Sequence, residues 1–120
     1  MNAVKEWLKQ DVDPLLWVVH RISALALIFL LAIHFWLMHF KSPGEVVKFA
    51  SVVTRLKNRE FILVDLGLLT LTIFHGLNGI SNILQDYGIF AAGGKKIGLI
   101  LGILGCALAF LGGISLLRFM

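Results

Sequence analysis

Thr72-Ile73-Phe74-His75-Gly76-Leu77-Asn78-Gly79-Ile80-Ser81-Asn82-Ile83-Leu84-Gln85-Asp86-Tyr87-Gly88 runs from an apolar segment to a polar edge. At about 100° per residue, His75, Gly79, Asn82 and Asp86 stand at i, i+4, i+7 and i+11 and share one helical stripe roughly 60° wide. Ile73, Leu77, Ile80, Ile83 and Leu84 occupy the remaining positions. This pattern suits a helix that shows one side to lipid and the other to a buried partner. An imidazole in the middle of such a helix can ligate a haem iron, and a glycine one turn away removes the Cβ that would meet a flat macrocycle. The stripe therefore reads as a cofactor wall.

Composition places this helix in a membrane. Of 120 residues, 58% are hydrophobic and only 15% charged, and the mean hydropathy is +0.89, a balance rare in soluble domains. The net charge of +4 is modest and its basic residues flank apolar runs, which marks them as headgroup contacts rather than a nucleic-acid surface. The single cysteine, Cys106, permits neither an intrachain disulfide nor a cysteine-held metal cluster. The first apolar run is too long for a cleavable signal peptide, and the tail before it carries Glu6, Asp11 and Asp13.

The chain reads as one all-α membrane domain, residues 1–120, with three transmembrane helices running up-down-up and short interfacial helices. The tail 1–13 sets Val4, Trp7 and Leu8 against Lys5, Glu6 and Lys9, an amphipathic pattern with an interfacial tryptophan. Asp13-Pro14 is an N-cap followed by a proline suited to the first helical position, and opens a span over 14–40. Ser42-Pro43-Gly44-Glu45 has capping-box spacing and predicts an interfacial helix within 42–58, with Val46, Phe49, Ala50, Val53 and Leu56 opposite Lys48, Arg55 and Lys57. The second span covers 61–87 and contains Asp65. Gly88 to Lys96 is expected as a turn, and the third span covers 97–118. There Gly98, Gly102, Gly105, Ala109 and Gly112 form a small-residue stripe, which lets helix backbones approach closely.

The first span carries His20, Arg21, Ser23, His34 and His39, and ionisable groups at such depth read as functional by default. On a helical wheel His20, Ser23 and His34 lie within about 60°, whereas Arg21 and His39 point to the far side. His39, at the helix end, reads as hydrogen-bonded to a nearby carbonyl. His34 admits both that reading and ligation.

Trp17-Val18-Val19-His20-Arg21-Ile22-Ser23-Ala24 resembles the His-Arg-x-Ser-Gly motif that opens the first helix of the cytochrome b membrane-anchor subunits of succinate dehydrogenase and fumarate reductase, respiratory complex II. His75-Gly76-Leu77-Asn78-Gly79-Ile80, followed by Asp86-Tyr87-Gly88, is similar to the His-x-x-x-Gly-Ile/Leu and Asp-Tyr motif of their second helix. The resemblance covers 17–88 and leans to the small D-type anchor, through the Asp86-Tyr87 pair and Asp65 ahead of the histidine. It implies that His75 is an axial ligand of haem b, with a partner-chain histidine opposite, and that Ser23, Arg21 and Tyr87 lie near a quinone, ubiquinone or menaquinone. Asp86 and His20 join that edge as groups able to relay protons. Two positions depart from the family pattern: Ala24 replaces a glycine, and Ser81 replaces an arginine expected to pair with a haem propionate, a role Arg21 can take instead. By the same resemblance His34 is a candidate ligand of a second, distal haem b. Measured from the Ser23 edge and the Tyr87 edge, His34 and His75 are expected at similar depth.

The implied partners are a second membrane-anchor subunit, an iron–sulfur subunit, a flavoprotein subunit and the lipid bilayer. With no nucleotide fingerprint, cysteine cluster or catalytic triad in this chain, succinate chemistry is expected on those partners. Lysines and arginines slightly favour the side opposite the N-terminus as cytoplasmic. The resemblance implies the opposite, a cytoplasmic N-terminus in a bacterial or archaeal cytoplasmic (inner) membrane, and outweighs this slight bias because a subunit docked during assembly can be oriented by its partners. The alternative function is a small transport or structural membrane protein without a redox cofactor.

Overall fold

The computed structural model describes residues 13–41 and 48–119, the side chains of 90–93 excepted. The amphipathic tail expected over 1–13, save Asp13, and the capping box expected at Ser42–Glu45 lie outside the described residues. Asp13 starts helix α1 (Pro14–Trp36): its carboxylate accepts from the Leu15 amide at 3.0 Å, and Pro14 occupies a position where no amide is needed. A π-helical turn, Leu37–Lys41, prolongs α1. Within it the His39 ring nitrogen Nδ1 is 3.2 Å from the Phe35 carbonyl, the local hydrogen bond expected of a helix-end histidine.

Helix α2 (Phe49–Leu56) is short. Leu56 is buried while Phe49 stays exposed, so only the C-terminal end of the expected apolar face packs on the chain itself. Asn58 then caps α3 (Arg59–Asp86) by accepting from the Glu60 amide at 3.2 Å, and Glu60 places negative charge in the first turn, where the helix dipole favours it. The 28 residues of α3 give about 42 Å of helix, more than a hydrocarbon core requires. Leu37, Leu56, Phe61 and Ile62 are buried together where the end of α1, α2 and the start of α3 meet.

Helix α4 (Phe90–Leu117) begins seven residues before the expected 97. The turn reduces to Tyr87–Ile89, because Gly88 adopts the left-handed conformation (φ 70°) that reverses the chain. Gly93-Gly94-Lys95-Lys96 is helical instead. Glycine weakens a helix without preventing one.

Among the described residues, three helices are long and apolar enough to cross a membrane: Pro14–Lys41, Arg59–Asp86 and Gly94–Leu117. Large apolar side chains of the last span, among them Leu99, Ile100, Ile103, Phe110 and Leu111, are exposed, so they suit lipid or a partner helix rather than water. Contacts along the spans pair α1 with α3 and α3 with α4, each antiparallel. The architecture is all-α, up-down-up, with α3 central.

Candidate functional site

The polar residues of α1 and α3 meet along one seam. Ser23, only 3% exposed, sits with its Oγ 2.6 Å from the His20 carbonyl oxygen and 2.9 Å from His75 Nδ1. A carbonyl can only accept, so the hydroxyl proton goes to His20 O and the serine oxygen accepts from the histidine. The proton of His75 is thereby assigned to Nδ1, and its Nε2 keeps a bare lone pair. The His20 ring lies flat against that of His75, centroids 4.2 Å apart and planes within 4°. His20 Nδ1 is buried and has no hydrogen-bond partner among the described residues.

A cavity of about 680 Å³ opens beside these rings, within the range of small-molecule and cofactor sites. Leu16, Trp17, His20, Arg21 and Ala24 wall it from α1, His75, Asn78, Asn82, Gln85 and Asp86 from α3, and Asp13 stands at its start. Arg21 belongs to this wall, not to the far side that the wheel suggests. Its guanidinium folds back over the Trp17 ring, 4.1 Å from the centroid, and a long flexible stem permits that detour. Ser23 is absent from the wall, and its hydroxyl proton is directed to the His20 carbonyl. Tyr87 follows Asp86 at the end of α3, 79% exposed and outside the wall. The expected trio of Ser23, Arg21 and Tyr87 is therefore not gathered at one point in this chain. Gly79 is a close approach rather than a necessity: a Cβ there would lie an ordinary 3.9 Å from His20 Cε1.

A second polar level lies deeper on the same seam. His34 Nδ1 is 2.8 Å from Asp65 Oδ1, both side chains partly buried. The level of His34 thus differs from that of His75, contrary to the expectation of similar depth. Ser23 to His34 spans eleven residues and Asp65 to His75 ten, about 16 Å and 15 Å of helix, so two antiparallel helices close both hydrogen bonds in one register. That register sets Ser23 opposite His75 rather than opposite Tyr87, some three turns away. Among the described residues no three His, Cys, Asp or Glu side chains converge as a free-metal site.

Asn78 and Gln85 join the wall from outside the stripe of His75, Gly79, Asn82 and Asp86. On the helical wheel they sit about 60° and 80° to one side of His75, so a stripe drawn twice as wide would have found both. The pairing of Asp65 had a signal too: a carboxylate inside an apolar span requires a partner.

Residues 4–113 match the family described as succinate dehydrogenase/fumarate reductase transmembrane subunit. The chain belongs to that family. Among its relatives, the succinate dehydrogenase hydrophobic membrane anchor subunit of Archaeoglobus fulgidus is 34% identical over 111 residues, covering 91% of this chain and 92% of the relative. The subunit of the same name from Thermoplasma acidophilum is 29% identical over 80 residues, covering 67% of this chain and 65% of the relative. No solved structure matches the chain. The two motifs that carried the resemblance thus lie in a transmembrane subunit of the succinate dehydrogenase/fumarate reductase type, and both contribute residues to one cavity of it.

Proposed function

We propose that this transmembrane subunit anchors a succinate dehydrogenase or fumarate reductase at the membrane, with a flavoprotein and an iron–sulfur subunit docked on it and a second anchor subunit beside it, and that it contributes a haem b ligand and part of a quinone site. The names of its relatives support the anchoring role. The observation that carries the haem reading is the Ser23 oxygen 2.9 Å from His75 Nδ1: with the serine proton on the His20 carbonyl, a neutral His75 carries its proton on Nδ1 and leaves Nε2 free, the arrangement a metal-ligating imidazole needs. A haem bound there would supply one-electron transfer. His75 and His20 are in ring contact, with no space for a macrocycle between them, so a haem held by His75 would take its other histidine from the partner anchor rather than from His20. Arg21 walls the same cavity as His75 and is the cation available for a propionate where Ser81 replaces the family's arginine.

Quinone reduction needs donors to the carbonyl oxygens as charge develops, and two protons. The Arg21 guanidinium can hold such an oxygen, His20 and Asp86 can pass protons between the cavity and the aqueous edge, and Tyr87 can donate from the end of α3 once the partner subunits close around it. Ubiquinone and menaquinone both present these oxygens. In the deeper level, His34 is held at Nδ1 by Asp65, a carboxylate–histidine pair of the kind that orients metal ligands, and we assign it a distal haem b shared with the partner anchor. The proposed orientation sets the N-terminus and the Asp86 end on the cytoplasmic side of a bacterial or archaeal inner membrane, facing the soluble subunits.

The test is His75→Ala in the assembled complex. Absorption of the low-spin haem assigned to His75 disappears while succinate reduction of a soluble dye persists. An unchanged haem spectrum overturns the reading and favours a subunit without a redox cofactor of its own.

A further inference from the structure

The buried hydroxyl of Ser23 lies between α1 and α3. Ser23 is the buried polar side chain among the described residues, and it lies behind the cavity wall. Its oxygen bridges two helices: it donates to the His20 carbonyl on α1 at 2.6 Å and accepts from His75 on α3 at 2.9 Å. Reversing the second bond would leave no proton for the first, with two oxygen lone pairs facing each other at 2.6 Å. The His20 carbonyl therefore dictates the direction of the serine, and the serine dictates the tautomer of the histidine.

We propose that Ser23 is the positioning residue of the haem ligand: it fixes the His75 proton on Nδ1, sets the ring plane, and tunes the basicity of Nε2. This rests on the reading of His75 as an axial ligand. Outer partners of ligating histidines act in this way on metal affinity and on the metal's potential. A neutral hydroxyl acceptor makes the imidazole a somewhat better donor than an unbonded ring, and less so than a carboxylate does. The structure holds both cases, since the Nδ1 of His34 meets the carboxylate of Asp65.

Ser23→Ala removes one oxygen and adds no bulk, and Ser23→Thr keeps the hydroxyl in a residue that also bonds a carbonyl three or four residues back. Each is assembled into the complex beside His75→Ala, and haem affinity and haem midpoint potential are measured. Ser23→Ala lowers haem affinity about 10- to 100-fold and moves the potential of the retained haem upward, because the imidazole loses its acceptor and donates less to iron. Ser23→Thr stays near the parent on both readings. If Ser23→Ala matches the parent, or if alanine and threonine shift both readings alike, the hydroxyl does not position the ligand and the proposal falls. A raised quinone KM in Ser23→Ala with haem affinity and potential unmoved overturns it in favour of a quinone contact. Retention of the haem by His75→Ala would fail the underlying reading instead, and so separates the two.

Discussion

Helix α3 is joined to its two neighbours by opposite means. Against α1 it is fastened by directional polar contacts: Ser23 with His75, His34 with Asp65, and at the far end Lys41 with Glu60. Against α4 it is fitted by shape. A Cβ at Gly105 would come 2.7 Å from Leu77 Cδ1, and one at Gly112 would come 2.8 Å from Leu69 Cδ2. Hydrogen bonds between membrane helices fix a register, because a shift of one turn leaves polar groups unpaired in hydrocarbon. Glycine packing fixes distance and forgives small slides. The polar seam also carries the imidazole rings of His20, His34 and His75, whereas the glycine seam brings only hydrocarbon together.

The largest expected effect contrasts the two levels within the polar seam. If each level holds a haem as proposed, His34→Ala lowers haem iron per flavin from near two to near one while the spectrum assigned to His75 persists. A ratio near one already in the parent, with an unaltered spectrum in His34→Ala, would reduce His34 and Asp65 to a packing pair and leave one functional level.

A smaller effect tests the glycine seam. Gly105→Leu overpacks against Leu77 and Ile73 and destabilises the detergent-solubilised subunit by about 1–3 kcal/mol, seen as a lowered midpoint of thermal unfolding. Gly105→Ala is milder, since the Leu77 methyl it meets is the free end of a flexible side chain. Gly102 has nothing within 4 Å of a Cβ, so Gly102→Leu shifts stability by no more than about 0.5 kcal/mol. Equal losses at 105 and 102 would erase the distinction between packed and outward halves of the small-residue stripe.

The smallest effect belongs to the exposed end of the polar seam. Lys41 and Glu60 are paired, yet their side chains are 48% and 56% exposed. A double-mutant cycle of Lys41→Met and Glu60→Gln should return a coupling below about 1 kcal/mol. A coupling of several kcal/mol would mean that this contact, rather than the buried levels, sets the register.

Much of this was legible in the chain itself. Hydropathy over windows of some twenty residues marked three spans, and Asp13-Pro14 marked the start of the first, because both signals are local. The His75 to Asp86 stripe was legible as well, since a helix puts residues three and four apart on one face whatever surrounds it. Arg21 was misplaced because a wheel locates Cβ atoms, not the ends of long side chains. The start of α4 was missed because two glycines beside two lysines look like a turn, while the reversal needed only Gly88.

Which residue of α1 meets which of α3 was decided by the tertiary structure alone. The sequence supplied His20, Ser23, His34, Asp65 and His75 and the faces they occupy. It did not supply the slide of one helix along the other, because every register of two apolar helices buries similar surface. Two hydrogen bonds between residues 52 and 31 positions apart select one register, since only there do the polar groups at both levels find partners. From that single choice follow the tautomer of His75, the removal of Ser23 from the cavity wall, and the separation of His34 and His75 into two levels.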